Sequence, residues 1–137
     1  MSKAVWWAGL AALLSVGQAS AQTCPCGGTG TRVTALAALV AGKTVCAARG
    51  AERWQQYHSG SNVIDYKQGP TDKVDPSETV ATFSVTTQPA NITYNYGTGG
   101  TYTYAVCADS GSTYRFCSGS SATVTGATIL SGQVRCP

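Results

Sequence analysis

Beyond Gly50, apolar and polar residues alternate with a period of two, and turn residues return at short intervals along the chain. This pattern is typical of antiparallel strands that bury one face and leave the other exposed. Residues 92–96 and 102–106 show it most clearly, because tyrosine and β-branched apolar residues alternate there with Thr, Asn or Ala. The same apolar face repeats from one hairpin to the next, which predicts about seven strands joined by short turns.

An earlier segment, residues 31–41, has a helical pattern instead. It is rich in good helix formers, its apolar side chains recur every three or four residues, and Gly42 follows it. These features predict one short helix that ends at Gly42 and packs on or plugs a sheet. In the alternative interpretation, residues 40–48 already enter the first strand.

About seven strands in sequential hairpins fit two architectures, a closed antiparallel meander barrel and a two-sheet sandwich. Sequential hairpins favour the barrel, because a Greek-key sandwich needs a long crossover connection. The predicted fold class is therefore mainly β, a small antiparallel meander barrel with one short N-terminal helix. In outline this resembles the lipocalin-like barrels. The resemblance concerns architecture and carries no binding residue across, because the chain lacks the early Gly-x-Trp signature of that family.

The first residues have the three parts of an export signal. Lys3 is followed by an apolar run at residues 10–16, and the segment closes with Ala-Ser-Ala at residues 19–21. The run is too short to span a bilayer of about 30 Å as a permanent anchor. We therefore predict a signal peptide at residues 1–21 and a single β-rich domain at residues 22–137. That domain is expected to be secreted or periplasmic, with no membrane attachment after cleavage.

All six cysteines follow the predicted cleavage point, and an even number in an exported chain indicates disulfide bonds. Cys107 and Cys117 flank a turn sequence, and a hairpin centred on Ser112 would place them opposite each other. The sequence therefore predicts a Cys107–Cys117 bond. For the other four cysteines the pairing stays open: Cys136 joins Cys24 or Cys26, and the remaining member of that pair joins Cys46.

Metal binding is the competing use of these cysteines. Structural zinc sites need paired cysteines at regular spacing with a second pair or histidines, and the chain has one histidine, His58. Calcium is a second candidate ion, because acidic residues gather at Asp65, Asp72, Asp75 and Glu78. Their spacing matches no EF-hand loop, and the end of this stretch indicates a turn before the next strand. The sequence therefore predicts no metal site.

The chain carries nine basic and six acidic residues, which gives a formal net charge of +3 at pH 7. The basic residues form no cluster, so nucleic acid is not an expected partner. Charged residues make up 11% of the chain, and Thr, Ser, Gly, Asn and Gln supply most of the other polar positions. Such a surface suits an exported β-protein better than a cytosolic enzyme.

The region from residue 52 to residue 67 has two stretches that are dense in aromatic and polar side chains. Tryptophan and tyrosine offer flat apolar faces with a polar edge, and glutamine offers paired donors and acceptors, which suits a carbohydrate or a small polar ligand. The predicted ligand-binding residues are Trp54, Gln56, Tyr57, His58, Asp65 and Tyr66. In the alternative interpretation, Trp54 and one of these tyrosines pack in the core or at its rim.

A row of tyrosines lies on the inferred apolar face of neighbouring strands, at Tyr94, Tyr96, Tyr102, Tyr104 and Tyr114. An inward face would make them part of the core, whereas an outward face would form an aromatic platform for a sugar or a protein. The opposite face carries Thr, Asn and an arginine, which favours the inward orientation. A tyrosine-lined interior is roomier and more polar than an aliphatic one, so an internal ligand cavity is a further alternative.

Catalysis has little support in the sequence. His58 is the one side chain expected to titrate near neutrality, and its neighbour Ser59 would point to the opposite face of a strand. No catalytic constellation and no cofactor motif is visible, so we expect a non-enzymatic binding module for a small polar ligand or a carbohydrate. The alternatives are an inhibitor of a secreted hydrolase, which would act on an extracellular protein through residues 65–78, and a self-assembling cell-surface or matrix component.

Overall fold

The computed structural model describes residues 24–27, 30–65 and 78–137. In chain order the elements are β1 (Thr31–Arg32), α1 (Leu36–Val40), β2 (Lys43–Arg49), β3 (Glu52–Ser59), β4 (Asn62–Asp65), β5 (Glu78–Thr87), β6 (Ala90–Asn95), β7 (Thr101–Ala108), β8 (Tyr114–Ser118) and β9 (Ser121–Ser131), with short 3-10 turns at Gly97–Gly99 and Ser110–Ser112. The predicted signal peptide, residues 1–21, lies outside the described residues, as do Tyr66, Asp72 and Asp75. Within the described ranges, no helix is long and apolar enough to cross a membrane.

Strands β2 to β9 form a closed antiparallel barrel. Each of them pairs with the next strand along the chain, and β9 returns to pair with β2. This confirms the predicted meander barrel over the sandwich, with eight barrel strands in place of about seven. Sequential strands are joined by tight turns, and two of these turns contain glycine in a left-handed conformation. Gly50 and Gly119 both have φ of +58°, which glycine adopts without a steric penalty.

One end of the barrel is filled and covered. Helix α1 places Leu36 and Val40 there, both 0% exposed. The turns that join β3 to β4, β5 to β6 and β7 to β8 lie at this end, which we call the closed end. The turns that join β2 to β3, β6 to β7 and β8 to β9 lie at the opposite, open end. The aliphatic side chains buried in the core are Leu36, Val40, Val45, Val63, Ala81, Ala90, Ile92, Val106 and Ala127.

The helix is shorter than the sequence predicts. Of the predicted residues 31–41, Leu36–Val40 are helical, and Thr31–Arg32 form β1 instead. The reason is a tertiary contact: the pairing of β6 with β7 ends at Tyr104, and Thr31–Arg32 pair with the last residues of β7. Strand β2 begins directly after Gly42 and covers most of residues 40–48, which the alternative interpretation assigned to a first strand.

All six cysteines form disulfides, as predicted, but the partners differ. The predicted Cys107–Cys117 bond is wrong, and so is the predicted link from Cys136 to Cys24 or Cys26. The β7–β8 hairpin is centred on Gly111 rather than on Ser112. As a result Cys117 lies opposite Ala105 and Cys107 lies opposite Arg115, so the two cysteines are not direct cross-strand neighbours. The bonds are Cys24–Cys117, Cys26–Cys107 and Cys46–Cys136.

The N-terminal strap, which we define as residues 24–27 and 30–32, is held against the outer face of β7 and β8 by two of these disulfides. Beneath it lies Arg115, whose side chain is 0% exposed and forms an ion pair with Asp109 at 3.2 Å. A Cβ at Gly30 would collide with the Arg115 guanidinium and the Asp109 carboxylate, so a side chain there would have to displace this buried ion pair. Since the strap leads into α1, the segment that covers the closed end is covalently fixed to the barrel wall.

The C-terminal tail, residues 132–137, lies against the outer face of β2 and β3. The Thr44 hydroxyl donates a hydrogen bond of 2.7 Å to the Gly132 carbonyl. The Cys136 backbone N–H donates one of 2.6 Å to Gln55 Oε1, and the Cys46–Cys136 disulfide fastens the tail beside it. Both chain ends of the described domain are therefore tied to the outside of the barrel, and the interior at the open end stays unfilled.

Candidate ligand-binding cavity

The open end of the barrel holds a cavity of about 460 Å³. This volume lies within the range of small-molecule sites in proteins, about 300–1,000 Å³. Its mouth lies beside the charged side chains of Arg49 and Glu52 at the β2–β3 turn. The main wall residues are Val45, Ala47, Trp54, Gln56, Tyr94, Tyr96, Tyr102, Tyr104, Phe116 and Val124.

Alternation along β3 decides which of its side chains reach the interior. Trp54 and Gln56 line the cavity, and His58 follows them on the same face, fully buried below the cavity. Tyr57 lies between them in sequence and opposite Thr44 of β2, so its side chain is on the outer face. The structure therefore places Trp54 and Gln56 on the same cavity wall and separates Tyr57 from them.

Asp65, another predicted site residue, ends β4 directly opposite Gln56. Burial raises the pKa of Tyr96, and the negative charge of Asp65 contributes to the same rise, which puts this carboxylate within electrostatic range of the Tyr96 hydroxyl. Gln56 Nε2 donates a hydrogen bond of 2.9 Å to that hydroxyl, which in turn lies 3.2 Å from Gln56 Oε1. One corner of the cavity thus combines an amide, a phenol and a nearby carboxylate.

The predicted row of tyrosines forms a connected aromatic wall. The ring of Tyr94 stacks on that of Tyr96, with centroids 6.2 Å apart, and lies 6.1 Å from that of Tyr104. Tyr102 meets Tyr96 edge to face at 6.0 Å. These distances fall within the range at which aromatic pairs attract each other. Four of the tyrosines line the open cavity; of these, Tyr94, Tyr96 and Tyr104 also contact the core, whereas Tyr102 is 46% exposed.

His58 belongs to the packing below the cavity floor. Its Nε2 lies 2.9 Å from the Tyr94 hydroxyl, its Nδ1 lies 3.1 Å from the Gln56 carbonyl oxygen, and its ring meets that of Phe83 edge to face at 4.8 Å. Burial lowers the pKa of His58 to about 4, so the imidazole is neutral at pH 7. A neutral ring satisfies both contacts when Nδ1–H donates to the carbonyl and Nε2 accepts from Tyr94. This arrangement commits both ring nitrogens to the protein.

Two charged side chains stand at the cavity mouth. Arg49 Nη2 and Glu52 Oε2 form an ion pair of 2.9 Å across the β2–β3 turn, and both side chains are more than half exposed. The Arg49 guanidinium also lies over the Trp54 ring, 5.4 Å from its centroid, which is within cation–π range. Sequence reasoning missed Arg49 and named Glu52 only as part of a polar stretch. Glu52 could have been found from the sequence, because it alternates with Trp54 and Gln56 along one strand and therefore shares their face.

Tyr66, which is predicted from the sequence to bind the ligand, lies outside the described residues, as do Asp72 and Asp75 of the acidic stretch. Over the described ranges, no three His, Cys, Asp or Glu side chains gather as a metal site.

Comparison with protein-family models, with curated proteins and with solved structures finds no match to this chain. The function is therefore inferred from the residues of the cavity and from the sequence.

Proposed function

We propose that this chain is an exported, non-enzymatic binding module that holds a small polar ligand in the open end of its barrel. The observation that carries the proposal is the cavity of about 460 Å³, whose walls combine aromatic rings with a few polar groups. Sites of this size and composition are typical of small-molecule recognition. A small ligand with both an apolar face and a polar group matches Trp54 and the Gln56–Tyr96 pair.

The rigidity of the scaffold supports this proposal. The cavity walls are strand residues of a closed barrel, and three disulfides fix the terminal segments to its outside. A cavity on rigid elements loses little conformational entropy when a ligand binds, which favours affinity. Export is supported by the signal pattern at residues 1–21 and by the disulfides, since such bonds persist in oxidising compartments.

The proposal does not include catalysis, because His58 is not available as a general base. The imidazole is buried and neutral, and both of its nitrogens are hydrogen-bonded within the protein, so it has no nitrogen left to act as a base on a ligand. Ser59 faces away from it along β3. Binding without turnover is therefore the activity that these residues favour.

The test is a thermal-shift screen of the oxidised domain against sugars, amino acids, organic cations and aromatic acids. One ligand class should raise the melting temperature, and the shift should grow with the logarithm of the ligand concentration once the site is saturated, because a ligand that binds the folded state stabilises it. Ala47 lies on the cavity wall and its neighbour Ala48 is exposed on the outer face. Ala47→Phe should fill the cavity and abolish the shift, and Ala48→Phe should retain it. A shift that survives Ala47→Phe, or no shift from any class, would contradict the proposal.

A further inference from the structure

We infer that the ligand of this cavity carries a compact organic cation of the quaternary or N-methylated ammonium class. The inference rests on the proposed function and narrows its ligand. Six aromatic side chains surround the cavity. The face of an aromatic ring carries the negative part of its quadrupole and attracts cations, and cages of such rings bind methylated ammonium groups. The six are Trp54, Tyr94, Tyr96, Tyr102, Tyr104 and Phe116.

The hydroxyl groups of this cage are largely engaged within the protein. Tyr94 is bonded to His58 and Tyr96 to Gln56, and the Tyr102 hydroxyl donates to the Gly99 carbonyl at 2.8 Å. A saccharide needs several hydrogen-bonding partners when it leaves water, and an unpaired buried hydroxyl costs free energy. A methylated ammonium group has few or no donors to satisfy. What these tyrosines still offer to a ligand is mainly the surface of their rings.

A cation of the protein already lies on this wall. The Arg49 guanidinium is 5.4 Å from the centroid of the Trp54 ring at the cavity mouth. Its side chain is 54% exposed, and an ion pair as exposed as that between Arg49 and Glu52 holds it only weakly. The Trp54 face is therefore placed to receive a positive group, and a ligand cation would compete with Arg49 for it.

The charges near the cavity favour the same class. Glu52 stands at the mouth beside Arg49, and Asp65 acts on Tyr96 from the end of β4. Arg53 is a second cation at this end, but it pairs with Ala48 on the outer face of β3, so two carboxylates and one guanidinium lie near the cage. An anionic ligand would meet this negative potential together with the ring faces, whereas a cationic ligand is attracted by both.

The test compares choline with 3,3-dimethylbutan-1-ol, a neutral molecule of nearly the same shape, by isothermal titration of the oxidised domain. Choline should bind roughly tenfold more tightly, which corresponds to a cation–π contact of about 1.4 kcal/mol. Trp54→Leu should remove most of this preference while Trp54→Phe retains part of it. Arg49→Met should tighten choline binding more than binding of the neutral molecule, because it removes the cation that competes with choline for the Trp54 ring.

Equal affinity for the two molecules would overturn the inference and leave the proposed function intact, since the cavity would then recognise shape and apolar surface. The same holds if choline fails to bind while a sugar or an aromatic acid shifts the melting temperature through the cavity. If no class binds, both the inference and the proposed function fail. The comparison of choline with its neutral analogue uses the unmodified protein, so it stands even if a Trp54 variant does not fold.

Discussion

The two ends of the barrel share one pattern of alternation and differ in the side chains that point inward. At the closed end these side chains are mostly aliphatic, with Tyr114 and His58 among them, and Leu36 and Val40 of α1 fill the space between them. At the open end they are aromatic, and a cavity of about 460 Å³ remains between the rings. The outer face of the closed end also carries the Cys26–Cys107 disulfide of the strap, whereas Cys117 of the Cys24–Cys117 disulfide lies farther along β8, between the cavity residues Phe116 and Ser118.

This difference indicates that the closed end contributes more to stability and that the open end provides the binding site. Tightly packed aliphatic side chains gain both burial and dispersion contacts, whereas rings that border a cavity lack partner atoms on one side. The open end is therefore the weaker half, and the covalently fixed closed end compensates for it. Changes at the closed end should alter stability, and changes at the open end should alter ligand affinity.

The largest expected effect comes from the disulfides. Cys26→Ala with Cys107→Ala removes a bond that closes a sequence separation of 81 residues, which should destabilise the domain by about 4 kcal/mol. Ligand affinity of the folded fraction should not change, because this bond lies on the outside of the closed end. Urea unfolding and titration measure the two quantities.

The matched control is Cys46→Ala with Cys136→Ala, which removes a bond of similar separation, 90 residues. Chain entropy predicts a similar loss of stability. Cys46, however, lies between the wall residues Val45 and Ala47, so this pair alone should weaken ligand binding as well. Equal effects of both pairs on affinity would contradict the separation of the two ends.

His58, at the boundary between the ends, gives the next largest effect. Burial lowers its pKa to about 4 from an ordinary value of 6.5, so the unfolded chain takes up a proton as the pH falls below 6.5 and the folded protein does not. Stability should be greatest above pH 6.5 and fall between pH 6.5 and about pH 4, by about 3 kcal/mol in total from this residue. Urea unfolding across that range measures it.

The control for this prediction is His58→Gln, which keeps hydrogen-bonding groups at the site and removes the titration. Its unfolding free energy should decline less steeply over the same range, because only the carboxylates then contribute. Parallel pH profiles for the two proteins would mean that His58 is not held neutral in the folded state.

The smallest effect compares one substitution at two positions. Val106 and Val124 both pair with Phe116 across neighbouring strands, but Val106 is 0% exposed in the core and Val124 borders the cavity. Val106→Ala should cost roughly 2–3 kcal/mol, because two buried methyl groups are lost and a void remains. Val124→Ala should cost less than about 1 kcal/mol. Equal losses in thermal or urea unfolding would show that both ends are packed alike.

Much of the fold could be predicted because a period of two is a local signal. The alternation in residues 92–96 and 102–106 gives the inward tyrosines directly, and short turns between strands give the meander. The disulfides could not be predicted in the same way, because a shift of the hairpin centre from Ser112 to Gly111 changes the partner of Cys107. Strand β1 was missed because Thr31–Arg32 are ordered by contact with β7 and not by their own propensity.

The candidate site was predictable only in part, for related reasons. Trp54 and Gln56 stood out by residue type and share a face, whereas Tyr57 was included although alternation places it outside. The sequence does not give the radius of the barrel or the reach of α1, so it could not distinguish tyrosines that fill a core from tyrosines that line a cavity. Arg49 entered the site through the β2–β3 turn, which brings it back to Glu52 and Trp54.

The closure of the barrel between β2 and β9 also bears on how copies of the chain behave together. Opening this seam would expose two strand edges, and such edges are templates for pairing with another chain. Cys46 lies on β2, and its disulfide partner Cys136 lies just beyond β9, so the bond bridges the seam. While it is intact, the bond tethers β9 to β2 through the short segment of residues 132–136. Domain swapping and edge-to-edge aggregation through this seam should therefore increase in molecules that have lost the bond.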